Sequence, residues 1–415
     1  MESERESGWG LPLVLAALAL GLASAGALAL SSASTAQHRL RASERALAQA
    51  REALLAYAAD RPIDARVGPG YLPCPDLDDD GWAEATCGSL SGHLGQAERL
   101  GRLPWKTLGL PDLRDGYGER LWYAVSTRYK GLLNCAASPA CVDMSPPVAL
   151  GTITVRDAEG RAVHDGTRAD PANAAAGAAA VVIAPGPPLS RRDGHEQRRD
   201  CEAGQCDARG RCLAEPPWRA ARCDPRNYLD ASVDEDNAAF HDRSDSAGRA
   251  GNGDGFIQGP VASGARLEVN DRVVAISQAE VMVRVMGRVA VEVAHCLRTS
   301  AAVEPPEAPC EASPALGRIA DAWLAAPSCS ARPGDPGWWN AWRPHVLFAR
   351  ASAGGLELVD DEGRRLANGQ RFAVVVTREA GSCAPSRIDC DAAGCFRARQ
   401  PPRRAAGHDA LAASP

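Results

Sequence analysis

Residues 11–30 form a run of twenty uncharged, mostly apolar residues, and all 14 cysteines of this 415-residue chain follow that run. A helix of this length, at about 1.5 Å per residue, matches a hydrocarbon core of about 30 Å. An even number of cysteines without a C-x-x-C pair is typical of disulfides formed in an oxidising compartment. The sequence therefore predicts an N-terminal membrane anchor, with the rest of the chain on the extracytoplasmic side.

A cleaved secretory signal is the alternative interpretation of this run. Such signals usually have a basic N-terminal region and an apolar core of about 7–15 residues. Here the first ten residues, MESERESGWG, are acidic and the apolar run is longer. Small residues at 24–27 and 31–36 are candidate cleavage positions, and the arginines after the run would by themselves favour the cytoplasmic side. Because the leader is acidic and the apolar run is long, we predict an anchor that is uncleaved or only trimmed at its N-terminus. The cysteines outweigh the arginines in predicting the extracytoplasmic side for the rest of the chain.

The composition predicts a folded protein of two or three domains that does not bind nucleic acid. The apolar fraction of 45% is ordinary for a globular chain. A formal net charge of −6 gives no support for binding to a phosphate backbone. The 30 prolines and 40 glycines predict many turns and long loops.

Two segments have the apolar periodicity of helices. In residues 36–59, Leu40, Leu47 and Leu54 recur at a spacing of seven, which predicts a helix that packs through these leucines. No breaker separates this segment from the apolar run, so one long helix is expected. The second helix begins at the capping box Ser277-Gln-Ala-Glu280, and its apolar residues follow the 3.6-residue period.

Four segments of the first half recur in the same order in the second half. They are WYAVS and LFARAS, ITVRDAEGRAV and LELVDDEGRRL, AAVVIAPG and FAVVVTREAG, and DCEAGQC and DCDAAGC. This order predicts an internal duplication of short strands and turns. The expected fold class is α+β, with an N-terminal transmembrane helix that continues into a long amphipathic helix. That helix would pack on small antiparallel sheets, in two tandem domains with disulfide-rich loops.

The expected boundaries follow these features. They are an N-terminal segment 1–10, a transmembrane helix 11–30, a first α+β domain 31–200, a cysteine-rich and acidic linker 201–265, a second α+β domain 266–396, and a basic, disordered tail 397–415.

A long N-terminal helix that leads into a small antiparallel sheet resembles the plan of type IV pilins and type II secretion pseudopilins. The segments AREALLAYAADRP, GYLPCPDLDDDGW, GRLPWKTLGLPDLRDGYGERLWYAVS and NDRVVAISQAEVM resemble a family of large prepilin-like proteins of Gram-negative bacteria. The resemblance implies two pilin-like domains and a non-enzymatic structural role, as a minor or tip component of a pilus or pseudopilus. It also implies an inner-membrane location, and other pilin or pseudopilin subunits as partners of the N-terminal helix.

The processing signal departs from the prepilin pattern. A prepilin leader would end at Gly10, and the mature chain would begin at Leu11 with Pro12 as its second residue. The leader is acidic rather than basic, and Leu15 occupies the position of the usual glutamate. Minor pseudopilins at the fibre tip are similar in tolerating the loss of that glutamate, so the match to a prepilin peptidase substrate is partial.

An acidic segment is the candidate metal site. Asp76, Asp78, Asp80 and Gly81 fit D-x-D-x-D-G, the first half of a calcium loop, in which alternate carboxylates converge on one hard cation. Cysteine occupies the position of the usual bidentate glutamate, although Glu84 could supply an oxygen. The alternative is a solvated acidic turn closed by a disulfide.

A second calcium candidate is the segment NGDG at 252–255. It is weaker, because Asn-Gly and Asp-Gly dipeptides are common in turns. The resemblance favours both candidates slightly, because pseudopilins often carry a structural calcium.

The cysteines predict local disulfides rather than zinc sites, because none of them has the two-residue spacing of zinc ligands. Sequence alone does not determine the connectivity. The candidate pairs are Cys74–Cys87, Cys135–Cys141, Cys201–Cys206 and Cys390–Cys395.

Motifs that would indicate an enzyme are missing from the sequence, since there is no G-x-S-x-G, H-E-x-x-H or P-loop motif.

Three tryptophans lie close together in the second half of the chain, at Trp338, Trp339 and Trp342. They would form either part of a core or a binding face for a sugar or a partner. The sequence thus predicts a structural, pilin-like protein. An anchored binding module unrelated to pili is the alternative, and a hydrolase with an unrecognised site is a third hypothesis.

Overall fold

The computed structural model describes residues 10–60, 69–85, 87, 99–126, 129, 151–167, 176–197, 199, 224–240, 255–299, 307–310, 313–318, 342–350, 356–359, 365–370, 372–376, 387–390, 396–399 and 410–414. In the first helix, the described side chains begin at residue 34.

Two α-helices, two 3-10 helices (Pro225–Asn227 and Arg343–His345) and eighteen short strands are the regular elements of the described part of the chain. The α-helices are α1 (Gly10–Asp60) and α2 (Gln278–Thr299). The strands of the first two thirds are β1 (Leu100–Arg102), β2 (Trp122–Val125), β3 (Thr154–Arg156), β4 (Ala162–His164), β5 (Ala178–Ala184), β6 (Gly255–Ile257), β7 (Val261–Ser263), β8 (Arg266–Val269) and β9 (Arg272–Ser277). The remaining strands are β10 (Glu307–Cys310), β11 (Ser313–Arg318), β12 (Val346–Arg350), β13 (Leu356–Val359), β14 (Arg365–Gln370), β15 (Phe372–Val376), β16 (Arg387–Cys390), β17 (Phe396–Arg399) and β18 (Ala410–Ser414).

The predicted membrane anchor requires a correction. Among the residues that the structure describes, no helix is long and apolar enough to cross a membrane. Charges interrupt both helices where their side chains are described: from residue 34 onward α1 carries Arg39, Arg41, Glu44 and Arg45, and the sequence of α2 contains two glutamates and three arginines. The fold class predicted with a transmembrane helix at 11–30, and the single-pass inner-membrane location that depended on it, are therefore wrong.

The central sheet has the strand order β1-β2-β5-β9, and all its pairings are antiparallel. Side chains alternate between its two faces, as the pleat requires. Tyr123 and Val125 of β2 belong to the core that contains α1 and α2. Trp122 and Ala124, the other two residues of β2, belong to a second core on the opposite face. The sheet is therefore covered on both sides.

The second core is closed by segments that the sequence predicted to be a linker. A mixed sheet, β4-β3-β6, contributes Phe256, and residues 224–240 contribute Tyr228, Leu229 and Phe240. The rings of Phe240 and Phe256 stack with centroids 4.9 Å apart. Residues 224–240, called here the outer segment, are thus a packed layer of the first folded unit.

Helix α2 begins as predicted. Ser277 Oγ accepts a hydrogen bond from the Glu280 amide at 3.3 Å, and Glu280 Oε2 accepts one from the Ser277 amide at 2.7 Å. This reciprocal pair is the capping box expected from the sequence. The helix lies beside α1, and the apolar residues of its periodic face whose side chains are described are buried, including Val285 and Met286.

Strand β9 changes the boundary between the halves. It pairs with β5 from Ala178–Ser277 to Ala184–Arg272, so the first sheet extends past the boundary expected at residue 266. The second half has its own sheet, β10-β11-β12-β15-β18. In both halves a central antiparallel pair, β2–β5 or β12–β15, is separated in sequence by a hairpin, β3–β4 or β13–β14. The duplication of domains itself stays a prediction.

Candidate metal centre

The acidic loop is held at both ends by covalent and backbone contacts. Cys74 and Cys87 form a disulfide with an S–S distance of 2.08 Å, which is the first of the candidate pairs. At the start of the loop, the Asp76 amide donates to the Arg102 carbonyl at 3.0 Å, and the Arg102 amide donates back at 2.7 Å. The loop is therefore closed on itself and fixed to the first strand of the central sheet.

Three of the four predicted carboxylates converge. Asp76, Asp78 and Glu84 each offer an oxygen, and these oxygens all lie within 4.8 Å of one another. Asp80 is not in this group, because its Oδ1 accepts a hydrogen bond from the Trp82 amide at 2.7 Å and shapes the turn instead. Asp78 also accepts from the Asp80 amide, at 3.2 Å, so the turn is organised by its own carboxylates.

Asp76 is the buried member of the group, with 1% of its surface exposed. Its Oδ2 accepts from the Gly81 amide at 2.7 Å. The pKa of Asp76 is raised to about 7, mainly by burial and also by the negative charges of the neighbouring aspartates, against the opposing Gly81 hydrogen bond. A cation placed among these oxygens would offset both the burial and the repulsion, which is the chemistry that a hard divalent ion supplies.

Gly81 explains the last position of the D-x-D-x-D-G pattern. Its φ of +93° lies in the left-handed region, and a Cβ at this position would lie 2.7 Å from the indole ring of Trp105. A glycine is therefore required both by the backbone and by the ring that packs on it.

Sequence reasoning missed an ion pair that supports the loop from outside. Arg120 Nη1 lies 2.7 Å from Asp79 Oδ1, and Arg120 Nε lies 2.9 Å from Asp112 Oδ1. Asp79 has a φ of 63°, so the arginine holds a residue in an uncommon backbone conformation. The segment PDLRDGYGERLW contains both Asp112 and Arg120, but nothing in its spacing indicates that it faces the acidic loop.

The other predicted site residues have varied outcomes. Gly10 is the first residue of α1 and Leu11 is its second. In the second calcium candidate only Gly255 is described, as the first residue of β6. Cys390 is the last residue of β16. Cys135, Cys141, Cys201, Cys206 and Cys395 lie outside the described residues, as do Trp338 and Trp339.

Trp342, the remaining tryptophan of that segment, is 1% exposed and belongs to the core that contains α1 and α2. Trp342 therefore packs in the core and does not form a binding face for a sugar or a partner. The exposed tryptophan of the described residues is Trp82, which is 56% exposed and lies in the acidic loop.

No protein-family model, curated protein or solved structure matches this chain.

Proposed function

We propose that this protein is a non-enzymatic structural subunit, pilin-like or pseudopilin-like in plan, which assembles with other subunits through its long helix. The observation that carries the proposal is the division of α1, a 51-residue helix, into two parts. From Ser43 to Ala58 one face of the helix is buried in the core, whereas residues 34–41 are exposed on every face. A helix that continues beyond its own head offers a surface for a neighbouring subunit.

The three leucines that the sequence predicts to pack differ in their exposure in the same way. Leu47 is 3% exposed and Leu54 is fully buried, and both pack inside their own head. Leu40 is 36% exposed. Two of the three leucines that the sequence predicts to pack are therefore used within the chain. Leu40 is the member that stays accessible to a partner.

Helix α2 supports the same proposal from beside α1. Val283 is 39% exposed and Val291 is 54% exposed, and they lie four residues on either side of Gly287. A Cβ on Gly287 would meet no atom within 4 Å. Charges at the border are neutralised within the chain, since Arg284 pairs with Glu52 at 2.7 Å and Arg288 pairs with Glu292 at 2.5 Å. An uncharged helix fits such a surface better than a charged one.

In this proposal the acidic loop binds one Ca²⁺ through Asp76, Asp78 and Glu84. The ion would have a structural role, because it would join carboxylates near the two ends of the loop. Its contribution would come from ordering the loop that the disulfide closes.

A binding module is the second candidate, and the exposed Trp82 beside three converging carboxylates favours it. Trp342 no longer supports it, because that side chain is buried.

Self-association of the full chain distinguishes the two candidates. The mass of the purified protein would be measured over a range of concentrations by light scattering, for the wild type and for Leu40→Glu and Val291→Glu. We expect the wild type to associate and both variants to dissociate more readily. Val233→Glu is the matched control, because Val233 is 63% exposed but lies in the outer segment. A wild type that stays monomeric, and a Val233 variant that dissociates as readily as the other two, would each overturn the proposal.

A further inference from the structure

Two buried aspartates join the outer segment to the central sheet. Asp230 lies in the outer segment and Asp271 lies immediately before β9, and neither side chain has any exposed surface. The Asp230 amide donates to Asp271 Oδ2 at 2.8 Å. Buried carboxyl groups at this depth are uncommon unless they are paired with a cation or are neutral.

The hydrogen-bond donors to the two carboxyl groups are all uncharged amides. Asp271 Oδ2 also accepts from Asn237 Nδ2 at 2.8 Å. Asp230 Oδ2 accepts from the Asn270 amide at 2.7 Å, and Asp230 Oδ1 accepts from Gln197 Nε2 at 2.9 Å. Asp271 Oδ1 is buried and has no hydrogen-bond partner among the described residues.

The cations that face this pair are committed to other acceptors. Arg191 binds both carboxylate oxygens of Asp236, at 2.7 and 2.6 Å, and donates to the Leu229 carbonyl. Arg199 donates to the carbonyls of Asn227 and Tyr228 at 3.2 and 3.1 Å and lies 3.8 Å from Glu119. Each arginine is thus paired with another carboxylate. Among the described residues, neither arginine donates a hydrogen bond to Asp230 or Asp271.

We propose that Asp230 and Asp271 share one proton in the folded protein, and that loss of this proton loosens the outer segment from the central sheet. Two ionised carboxylates in this position would repel each other, because no solvent screens their charges. The negative charge on Asp271 Oδ1 would also have no hydrogen-bond donor to stabilise it. One proton removes both costs while the amide donors remain satisfied. The pair therefore acts as a pH-sensitive connection between two layers of the fold.

The direction of the titration agrees with this geometry. Burial raises the pKa of Asp271 well above its ordinary value, and the adjacent charge of Asp230 raises it further. Burial also raises the pKa of Asp230, to about 6, against the opposing hydrogen bonds from Asn270 and Gln197 and the more distant positive charges of two arginines, Arg199 and Arg191. Because the folded-state pKa values are raised, the folded state binds more protons than the unfolded state. The stability contributed by the pair is complete below the unfolded pKa near 4 and decreases as the pH rises through about 6 and beyond.

The outer segment covers buried aromatic surface, so its loosening has a measurable consequence. Tyr228 lies 5.5 Å from Trp122, ring centroid to centroid, and its ring also lies 3.9 Å from the guanidinium carbon of Arg102. Release of the segment would expose its amides and these groups to solvent.

Hydrogen–deuterium exchange of the full chain tests the proposal. Exchange in residues 224–240 would be measured at about pH 5 and about pH 8 and corrected for the intrinsic pH dependence of amide exchange. We expect the protection of the wild type to decrease by at least about tenfold at the higher pH, the factor that corresponds to one pKa unit. Asp271→Asn keeps the shape and leaves Asp230 as the only ionisable member of the pair, so its protection should change less with pH than that of the wild type. Asp157→Asn, in the β3–β4 turn, is the matched control and should behave like the wild type.

Infrared difference spectroscopy gives an independent measurement that does not depend on whether Asp271→Asn folds. The carbonyl stretch of a protonated carboxyl group should be present near neutral pH and should disappear as the outer segment loses protection. The band should remain in Asp76→Asn, a matched control that is needed because the pKa of Asp76 is also raised, to about 7. Protection of the wild type that is equal at both pH values, an Asp271→Asn variant that keeps the full pH dependence of the wild type, or absence of the protonated band would each overturn the proposal.

Discussion

Gly116 lies against the backbone of Arg39, so closely that a Cβ on Gly116 would be 2.0 Å from the Arg39 carbonyl oxygen. The Gly116 amide donates to Ser43 Oγ at 3.0 Å, and the Arg39 guanidinium lies 5.0 Å from the ring centroid of Tyr117. The loop that carries Gly116 thus contacts α1 at the point where its side chains change from exposed to buried. This contact sets the direction in which the helix leaves the head.

Gly116→Ala should therefore destabilise the protein. No side chain can yield to the added methyl group, because the atoms it meets belong to the helix backbone. We expect a loss of about 1–3 kcal/mol in the free energy of unfolding, measured by chemical denaturation. Gly287→Ala is the matched control, because the position is helical and open. The free energy of unfolding of that variant should rise by about 0.5–1 kcal/mol. A neutral Gly116→Ala would mean that the loop does not hold α1.

Local patterns predicted much of this fold. The capping box at Ser277, the strand that became β5 and the acidic turn at Asp76 each depend on residues within a few positions, and local chemistry determines them. Contacts distant in sequence could not be predicted in this way. A sequence does not show that Asp230 meets Asp271, 41 residues later, or that Arg102 is buried between two aromatic rings.

The apolar run at residues 11–30 is a case in which a local pattern gave a wrong prediction. Its length and lack of charge predicted a membrane span, but the described residues contain no helix that qualifies. The candidate site was predicted in part, because three of its four carboxylates converge whereas the fourth shapes the backbone.

Leu54→Ala should cost much more stability than Leu40→Ala. Leu54 is fully buried in the core that joins α1, α2 and the central sheet, so its truncation leaves a cavity. We expect a loss of about 2–5 kcal/mol in the free energy of unfolding. Leu40→Ala should change it by less than about 0.5 kcal/mol, because this side chain is already partly in solvent. Equal effects of the two substitutions would contradict the division of α1 into a packed and an exposed part.

Removal of the disulfide should loosen the acidic loop. Cys74 and Cys87 are 13 residues apart, and both side chains are buried. The double variant Cys74→Ala, Cys87→Ala gives the unfolded chain more freedom, so we expect a loss of about 2–4 kcal/mol in the free energy of unfolding. The change should be accompanied by faster amide exchange in residues 75–87 than in α2. If exchange in the loop were unaffected, its hydrogen bonds alone would hold its conformation.

Calcium should stabilise the protein through the acidic loop. If the site binds one ion, a calcium concentration of about one hundred times the dissociation constant should add about 2.7 kcal/mol to the free energy of unfolding. Calorimetric titration of the full chain would give that constant directly, and the melting temperature should rise with calcium concentration.

Asp78→Asn is the variant that assigns this effect to the loop. Asp78 is one of the three converging carboxylates, and its replacement removes one negative charge while an oxygen remains. We expect the dissociation constant for calcium to rise by at least about tenfold. Asp157→Asn, which also removes a carboxylate that accepts backbone amides, should leave calcium binding unchanged because it lies in the β3–β4 turn. A wild type whose melting temperature does not respond to calcium would identify the loop as an acidic turn held by its disulfide. Equal weakening by both variants would place the ion elsewhere in the molecule.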